Sequence, residues 1–269
     1  MNISVTGLIK TYRKFERDFW LSYKALERLL SPEKFKIIKM LLLKSKRIDQ
    51  KYIDYVGVDK FEQTRQLISL EWQEKSDEAK AEGTVVHQQI QAMFTSGDSQ
   101  VSAFGFDPEQ YLVMKTDQFA NTEKGLFPEF RMEYKLDDDY TLVGVADLIV
   151  KDGNCITIYD WKTSDKISMK ARYDVGNKRK KTFKYPISNI EDTEIAQYQL
   201  QLSAYAWLIK KINPDFQVNL EVVQIANNLP KNHISVEYLE KDINRLIEHH
   251  VNDLHLKAEL EKCNPISYE

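Results

Sequence analysis

Two aspartates and a lysine near the middle of the chain have the types and spacing to hold a metal ion and act on a phosphate ester. Asp147 lies inside the apolar run 142–150, Asp160 lies in the following run 155–161, and Lys162 comes directly after it. A carboxylate within an internal strand is costly unless it is paired or binds a metal. Carboxylate oxygens select a hard cation such as Mg²⁺, whose waters can be directed at a phosphate. The pattern therefore predicts phosphodiester hydrolysis.

The turn between the two runs decides whether these groups meet. Asp152-Gly153 favours a two-residue hairpin loop, which places Asp147 opposite Ile158 and diagonal to Asp160, roughly 7 Å away at the backbone. Because side chains alternate between faces, both carboxylates and Lys162 then share one face. We expect Lys162 to stabilise charge and orient water rather than act as a base. The competing interpretation is a buried ion pair of Asp147 with Lys162.

The composition indicates a globular chain with a large core. Of the 269 residues 42% are hydrophobic, and 38 basic residues against 41 acidic ones give a net charge of −3. Cys155 and Cys263, the only cysteines, are too few for a four-cysteine iron–sulfur cluster and fit a reducing compartment. The first residues lack the basic-then-apolar pattern of a secretory leader, and the apolar runs are shorter than the ~20 residues of a membrane span, so we expect neither secretion nor membrane insertion. We expect a cytoplasmic protein without a membrane partner.

The elements predicted around these residues form one α/β domain, 1–269. Residues 1–125 are expected to be mainly helical, with helical spacing from Leu8 to Phe19, starts at Ser31-Pro32 and Lys75, a break at Ser96-Gly97-Asp98 and a fourth helix near Pro108. Residues 126–269 are expected to form the sheet core. Its strands are predicted at 131–136, 142–150, 155–161, 219–225 and 234–236, and its helices at 194–210, after an Asp192 cap, and at 237–261.

Four motifs follow one another along this pattern. They are Gly83-Thr84-Val85-Val86-His87, Asp147, Asp160-Trp161-Lys162 and Gln201-Leu202-Ser203-Ala204-Tyr205. In this order they resemble the RecB-like branch of the PD-(D/E)xK nuclease superfamily, recognised by GxxxH, a strand aspartate, DxK and QxxxY. The resemblance covers about residues 80–210. It implies an α/β fold: a restriction-endonuclease-like core with a central mixed β-sheet flanked by helices, plus a helical N-terminal elaboration.

The resemblance also implies a metal centre. His87, Asp147, Asp160 and the backbone carbonyl of Trp161 would hold Mg²⁺, with Mn²⁺ able to substitute, and Asp147, Asp160 and Lys162 would be catalytic. No iron–sulfur cluster and no helicase motif accompany these residues, since the cysteines and a Gly-Lys-Ser/Thr loop are lacking. The chain therefore resembles the stand-alone phage-type recombination exonucleases.

Further residues are candidates for supporting roles. The resemblance implies that Gln201 and Tyr205 border the DNA or brace the site. Gly83, Glu133 and Thr163 are candidates for residues that contact and orient the metal ligands. For Glu133 the alternative is an exposed strand residue with no part in the site.

A basic stretch lies between the DxK and QxxxY motifs, and its candidate phosphate-binding residues are Lys178, Arg179, Lys180 and Lys181. A solvated loop is the alternative for this stretch. We predict a Mg²⁺-dependent deoxyribonuclease, an exonuclease acting on linear DNA ends, single- or double-stranded, in recombination, repair or phage replication, with a recombination or annealing protein as a potential partner. The alternatives are a structure- or sequence-specific endonuclease of the same fold and an inactive nucleic-acid-binding module.

Overall fold

The computed structural model describes residues 1–13, 15–96, 99–107, 110–164, 166–174 and 178–263. Its contacts group the chain into two compact units. We call Met1–Arg13, Val86–Lys170 and Thr182–Glu269 the sheet unit, and Lys14–Val85 with Ala171–Lys181 the helical unit. That the whole chain is one domain stays a prediction.

The elements are as follows. The strands are β1 (Asn2–Ser4), β2 (Lys124–Lys135), β3 (Thr141–Asp152), β4 (Cys155–Lys162), β5 (Tyr173–Asp174), β6 (Arg179–Lys180), β7 (Gln217–Ala226) and β8 (Leu229–Val236). The α-helices are α1 (Val5–Thr11), α2 (Arg17–Leu29), α3 (Pro32–Ser45), α4 (Gln50–Val56), α5 (Val58–Ser96), α6 (Glu194–Ile212) and α7 (Glu240–Cys263), and 3₁₀ helices cover Ser99–Phe104 and Thr116–Asn121. None of the helices described is long and apolar enough to cross a membrane.

The sheet unit is built on a six-stranded mixed sheet. Strand β3, which carries Asp147, pairs with three of the other strands. Along one edge, β3 pairs with antiparallel β2 from Thr141 to Asp152, with a break in the ladder at Asp147. Its other edge pairs in parallel with β1 at residues 141–143 and with antiparallel β4 at residues 148–152. Between them, residues 144–147 pair on this edge with no strand that the structure describes, so the sheet opens beside Asp147. Strand β4 continues past this opening because it is held by β7, which in turn pairs with β8.

Helices and apolar side chains cover both faces of this sheet. One core cluster joins β3 and β4 to α6, with Leu142, Ile158 and Leu200 fully buried. A second cluster joins the sheet to the last turns of α5 through Ile90, Phe94 and other residues. The predicted central mixed sheet flanked by helices is confirmed, as are the predicted antiparallel strands around Asp147.

The β3–β4 hairpin turns one residue later than predicted. Asp152 pairs with Cys155, so the loop is Gly153-Asn154, and Gly153 has a positive φ of 59°. A two-residue loop with glycine first matches a type II′ turn, whose twist suits the strands. Ile158 consequently pairs with Ile149 and not with Asp147. Extending the register brings Asp160, rather than Ile158, opposite Asp147.

The strand and helix limits also differ from the prediction. β2 begins at Lys124, because Pro128 is tolerated on an edge strand where its missing N–H has no partner. α5 begins at Val58 and not at Lys75; Gly57, with φ of 90°, ends α4 directly before it. The apolar spacing from Leu8 to Phe19 is divided between α1 and α2.

Thr193, and not Asp192, caps α6, and its side chain accepts the N–H of Ala196. Asp192 is instead fully buried against Arg13, whose Nε donates to it at 2.8 Å. α7 starts at Glu240 rather than 237, because the Leu239 N–H donates to the hydroxyl of Ser203. Gly97, Asp98 and Pro108 lie outside the described residues, and residues 110–115 are not helical.

Candidate metal centre

The site lies where the side chains of β2 and β3 stop alternating regularly between the two faces of the sheet. In β3, Ala146 and Ile149 are three residues apart, yet both pack in the core beside α6. In β2, Phe127 and Phe130 do the same. The alternation on which the shared-face prediction rests is therefore interrupted at Asp147. The irregularity turns this position toward the opening between β3 and β4, where its Oδ2 accepts the backbone N–H of Trp161 at 2.5 Å.

Glu129 is the residue of β2 that stands level with Asp147. Pro128 pairs with Leu148 and Phe130 pairs with Ala146, so Glu129 faces Asp147 in register without forming a ladder pair. Its φ of 48° is in the left-handed region, which is uncommon outside glycine. This backbone conformation removes Glu129 from the ladder and lets its side chain join that of Asp147.

His87, Glu129 and Asp147 form a group that can hold a metal ion. Each offers a ligand atom, and these atoms all lie within 4.8 Å of one another. His87 comes from α5, and its Nδ1 lies 3.3 Å from Asp147 Oδ1. All three are half-buried. Two carboxylates with one imidazole suit a divalent cation such as Mg²⁺ or Mn²⁺, so the donor set fits the predicted metal.

The electrostatics of this group favour a cation. Burial and the neighbouring Asp147 carboxylate raise the pKa of Glu129. The hydrogen bond with Asp147 raises the pKa of His87, although burial and Lys162 oppose the shift. The Asp147 carboxylate contributes to both shifts, although burial is the larger cause for Glu129. A divalent cation bound between these side chains would offset the repulsion of the two carboxylates.

Asp160 and Lys162 form a buried pair on β4, at the border of the same opening. Asp160 has a side chain that is only 3% exposed, and its Oδ2 lies 2.5 Å from Lys162 Nζ. Burial raises the pKa of Asp160 to about 6, although the Lys162 ammonium opposes this shift. Burial lowers the pKa of Lys162, but the carboxylates of Asp160 and Asp147 outweigh it, so the net pKa is raised. Lys162 is thus held as a cation, with its ammonium 4.7 Å from the ring centroid of Tyr198.

Helix α6 fixes the buried carboxylate from the other side. Gln201 Nε2 donates to Asp160 Oδ1 at 3.0 Å and to the Tyr205 hydroxyl at 2.9 Å. The Tyr205 ring lies directly on β3 at Gly144, where an added Cβ would come within 2.8 Å of its Cε1 atom. Gly144 is therefore required for this close approach of α6. The Gln201 side chain of the QxxxY motif thus contacts the Asp160 carboxylate itself. The roles that the resemblance implies for Gln201 and Tyr205 stay predictions.

Trp161 contributes its backbone N–H and its packing. The indole is 3% exposed and stacks with the Phe94 ring at 6.3 Å between centroids. This contact packs the end of β4 against α5. The Trp161 carbonyl as a metal ligand stays a prediction.

Other predicted residues are exposed positions of the sheet unit or belong to the helical unit. Glu133 is exposed, pairs with Val143 and forms an ion pair with Arg131 at 3.3 Å. Thr163 is exposed after the end of β4, and Gly83 belongs to the part of α5 in the helical unit. The basic residues at 178–181 also belong to the helical unit, where Arg179 and Lys180 form β6.

Sequence reasoning missed Glu129 as a ligand candidate. The antiparallel pairing of β2 with β3 across the turn at 137–139 would have placed it level with Asp147, had β2 been extended past Pro128. A proline inside a strand is a signal of local irregularity, and here it directly precedes the ligand.

Comparison with known protein families decides the classification. The family model of the PD-(D/E)XK nuclease superfamily matches residues 58–266, which is more than half of the chain and includes every element of the site. The chain belongs to the PD-(D/E)XK nuclease superfamily. The predicted restriction-endonuclease-like fold is therefore confirmed, and superfamily membership indicates a nuclease that depends on a divalent metal.

Among solved structures, the chain matches one described as "Crystal structure of SSO0001". It shares 12% sequence identity at a TM-score of 0.34, with 93% of this chain and 74% of that chain covered. Among curated proteins, none matches the sequence.

Proposed function

We propose that this nuclease is a RecB-like deoxyribonuclease that degrades DNA from a free end in a Mg²⁺-dependent reaction, in recombination, repair or phage replication. The observation that supports the chemistry is the group His87, Glu129 and Asp147, with ligand atoms within 4.8 Å of one another, beside the buried pair of Asp160 and Lys162. The motif order, with no iron–sulfur cysteines, favours the stand-alone exonuclease branch.

The residues of the site have two roles: some would bind the metal, and others stabilise charge. His87, Glu129 and Asp147 would hold the divalent cation. The oxygens of Asp160 contact Gln201 and Lys162 in this structure, so its role as a metal ligand stays a prediction. A cation held by these residues would supply Lewis-acid stabilisation of the phosphate and would lower the pKa of bound water.

Lys162 is placed for a separate task. Its ion pair with Asp160 keeps the ammonium charged, so it offsets negative charge at the phosphate and orients the attacking water rather than abstracting a proton. The backbone N–H of Trp161 donates to Asp147 Oδ2 and so keeps the Asp147 carboxylate oriented toward His87 and Glu129.

Cleavage of linear and relaxed closed circular DNA of one sequence tests the proposal. We expect linear DNA to be degraded with Mg²⁺ or Mn²⁺, the circle to resist, and EDTA to abolish cleavage. Asp147→Asn and Lys162→Ala should lose activity, whereas Glu133→Gln, an exposed glutamate on β2, should retain it.

Each other outcome favours a stated alternative. Discrete fragments from the circle would assign an endonuclease, and binding without cleavage under any metal would assign an inactive nucleic-acid-binding module. A recombination or annealing partner and a cytoplasmic location stay predictions.

A further inference from the structure

The helical unit contains a cavity of about 440 Å³ with a largely aromatic wall. Phe15, Trp20, Trp72 and Tyr173 line it. Phe15 and Tyr173 are each 56% exposed, so aromatic surface is open to solvent. The Phe15 and Trp72 rings are tilted at 45° with centroids 6.5 Å apart. The volume lies in the range of roughly 300–1,000 Å³ that is typical of small-molecule sites.

Three cations line the same cavity. They are Lys46, Arg172 and Lys181, and no carboxylate lines it among the residues that the structure describes. Lys46 Nζ lies 5.1 Å from the Trp20 ring centroid and 3.8 Å from Asp174. Arg172 and Lys181 flank the β5–β6 hairpin and are tied by a backbone hydrogen bond of 2.7 Å. The cavity therefore combines flat apolar surface with positive charge.

We propose that this cavity binds an unpaired nucleobase of a single-stranded DNA segment, with Arg172 and Lys181 binding the adjacent phosphates. The relevance of DNA rests on the proposed function, which this inference deepens by naming the form of the strand. A base stacked in a duplex presents only its edges, whereas a splayed base presents a face to aromatic side chains. A nucleotide also carries a ring and an anion together, which matches the aromatic and cationic parts of the wall.

Tryptophan fluorescence gives a direct readout in the full chain. Trp20 and Trp72 line the cavity, whereas the other two tryptophans, Trp161 and Trp207, are 3% and 7% exposed in the sheet unit. We expect an oligothymidylate of about ten nucleotides to quench this fluorescence in EDTA, where cleavage is blocked. Trp72→Phe should reduce the quenching.

Exposed substitutions keep the test independent of folding. Tyr173→Ala should weaken oligothymidylate binding by about fivefold or more, the low end of the range for one base stacked on an aromatic side chain. Tyr55→Ala removes a 62% exposed aromatic side chain of α4 in the same unit and should have no effect. Arg172→Ala should reduce the slope of log affinity against log salt by about 0.7, more than Lys39→Ala on the exposed side of α3.

The outcomes separate this inference from the proposed function. Equal affinities for Tyr173→Ala and Tyr55→Ala would overturn the inference, as would a blunt hairpin duplex that quenches as strongly as the single strand. Equal quenching by an acidic, tyrosine-containing peptide would assign the cavity to a protein partner instead. Oligothymidylate binding in EDTA with no cleavage in Mg²⁺ would reject the proposed function and leave the inference standing.

Discussion

Gly144→Ala tests the contact by which α6 reaches the buried carboxylate. The new Cβ would lie 2.8 and 2.9 Å from two Tyr205 ring carbons and 3.2 Å from Leu208 Cδ1, whereas ordinary contacts begin at 3.4 Å. The ring must therefore move by several tenths of an ångström in a core where Leu208 is 2% exposed. Overpacking of this kind costs about 1–3 kcal/mol.

Two measurements check this prediction, the free energy of unfolding in denaturant and the cleavage rate. Both should fall for Gly144→Ala, because a shifted Tyr205 releases Gln201 from Asp160. Val145→Ala, at an exposed neighbour on β3, should change stability by less than about 0.5 kcal/mol. Adding Tyr205→Leu to Gly144→Ala removes the ring and should make the two effects non-additive. Additive effects, or a Gly144→Ala variant with normal stability and activity, would refute the reasoning.

Two other perturbations concern the sheet unit away from the metal group. Arg13→Met leaves the fully buried Asp192 without its cation and should lower the free energy of unfolding by about 3–5 kcal/mol. The double variant Arg13→Met/Asp192→Asn should recover part of this loss. An Arg13→Met variant of normal stability would contradict the prediction. Burial lowers the pKa of His250, against the opposing effect of Asp253, so folding favours the neutral ring. Stability should therefore fall as pH decreases below about 6.5, and His250→Gln should flatten that dependence of Tm on pH; an unchanged dependence in this variant would contradict the reasoning.

Much of the architecture could be predicted because alternation and turn residues mark the strands. The apolar run of β3 indicated an internal strand, and Asp152-Gly153 indicated a hairpin. The turn position was wrong by one residue because Gly153 can take the first as well as the second place of a two-residue loop.

The local geometry of the site could not be obtained from the same rules. A period of two assumes regular strands, and the irregularity at Glu129 and Asp147 depends on the conformation of both strands together. The contact of Tyr205 with Gly144 is likewise tertiary, since a glycine in a strand predicts a close approach without naming its partner. The cavity of the helical unit joins residues that are more than a hundred positions apart in the chain.

Binding of Mn²⁺, followed by electron paramagnetic resonance on the full chain, tests the metal centre most directly. Glu129→Gln removes a ligand charge at the irregularity, and Glu133→Gln removes the same charge four residues along β2, where Glu133 pairs with Arg131. We expect Glu129→Gln to weaken Mn²⁺ binding by at least about tenfold and Glu133→Gln to bind like the unmodified protein. Equal affinities for the two variants would contradict a metal centre formed by His87, Glu129 and Asp147.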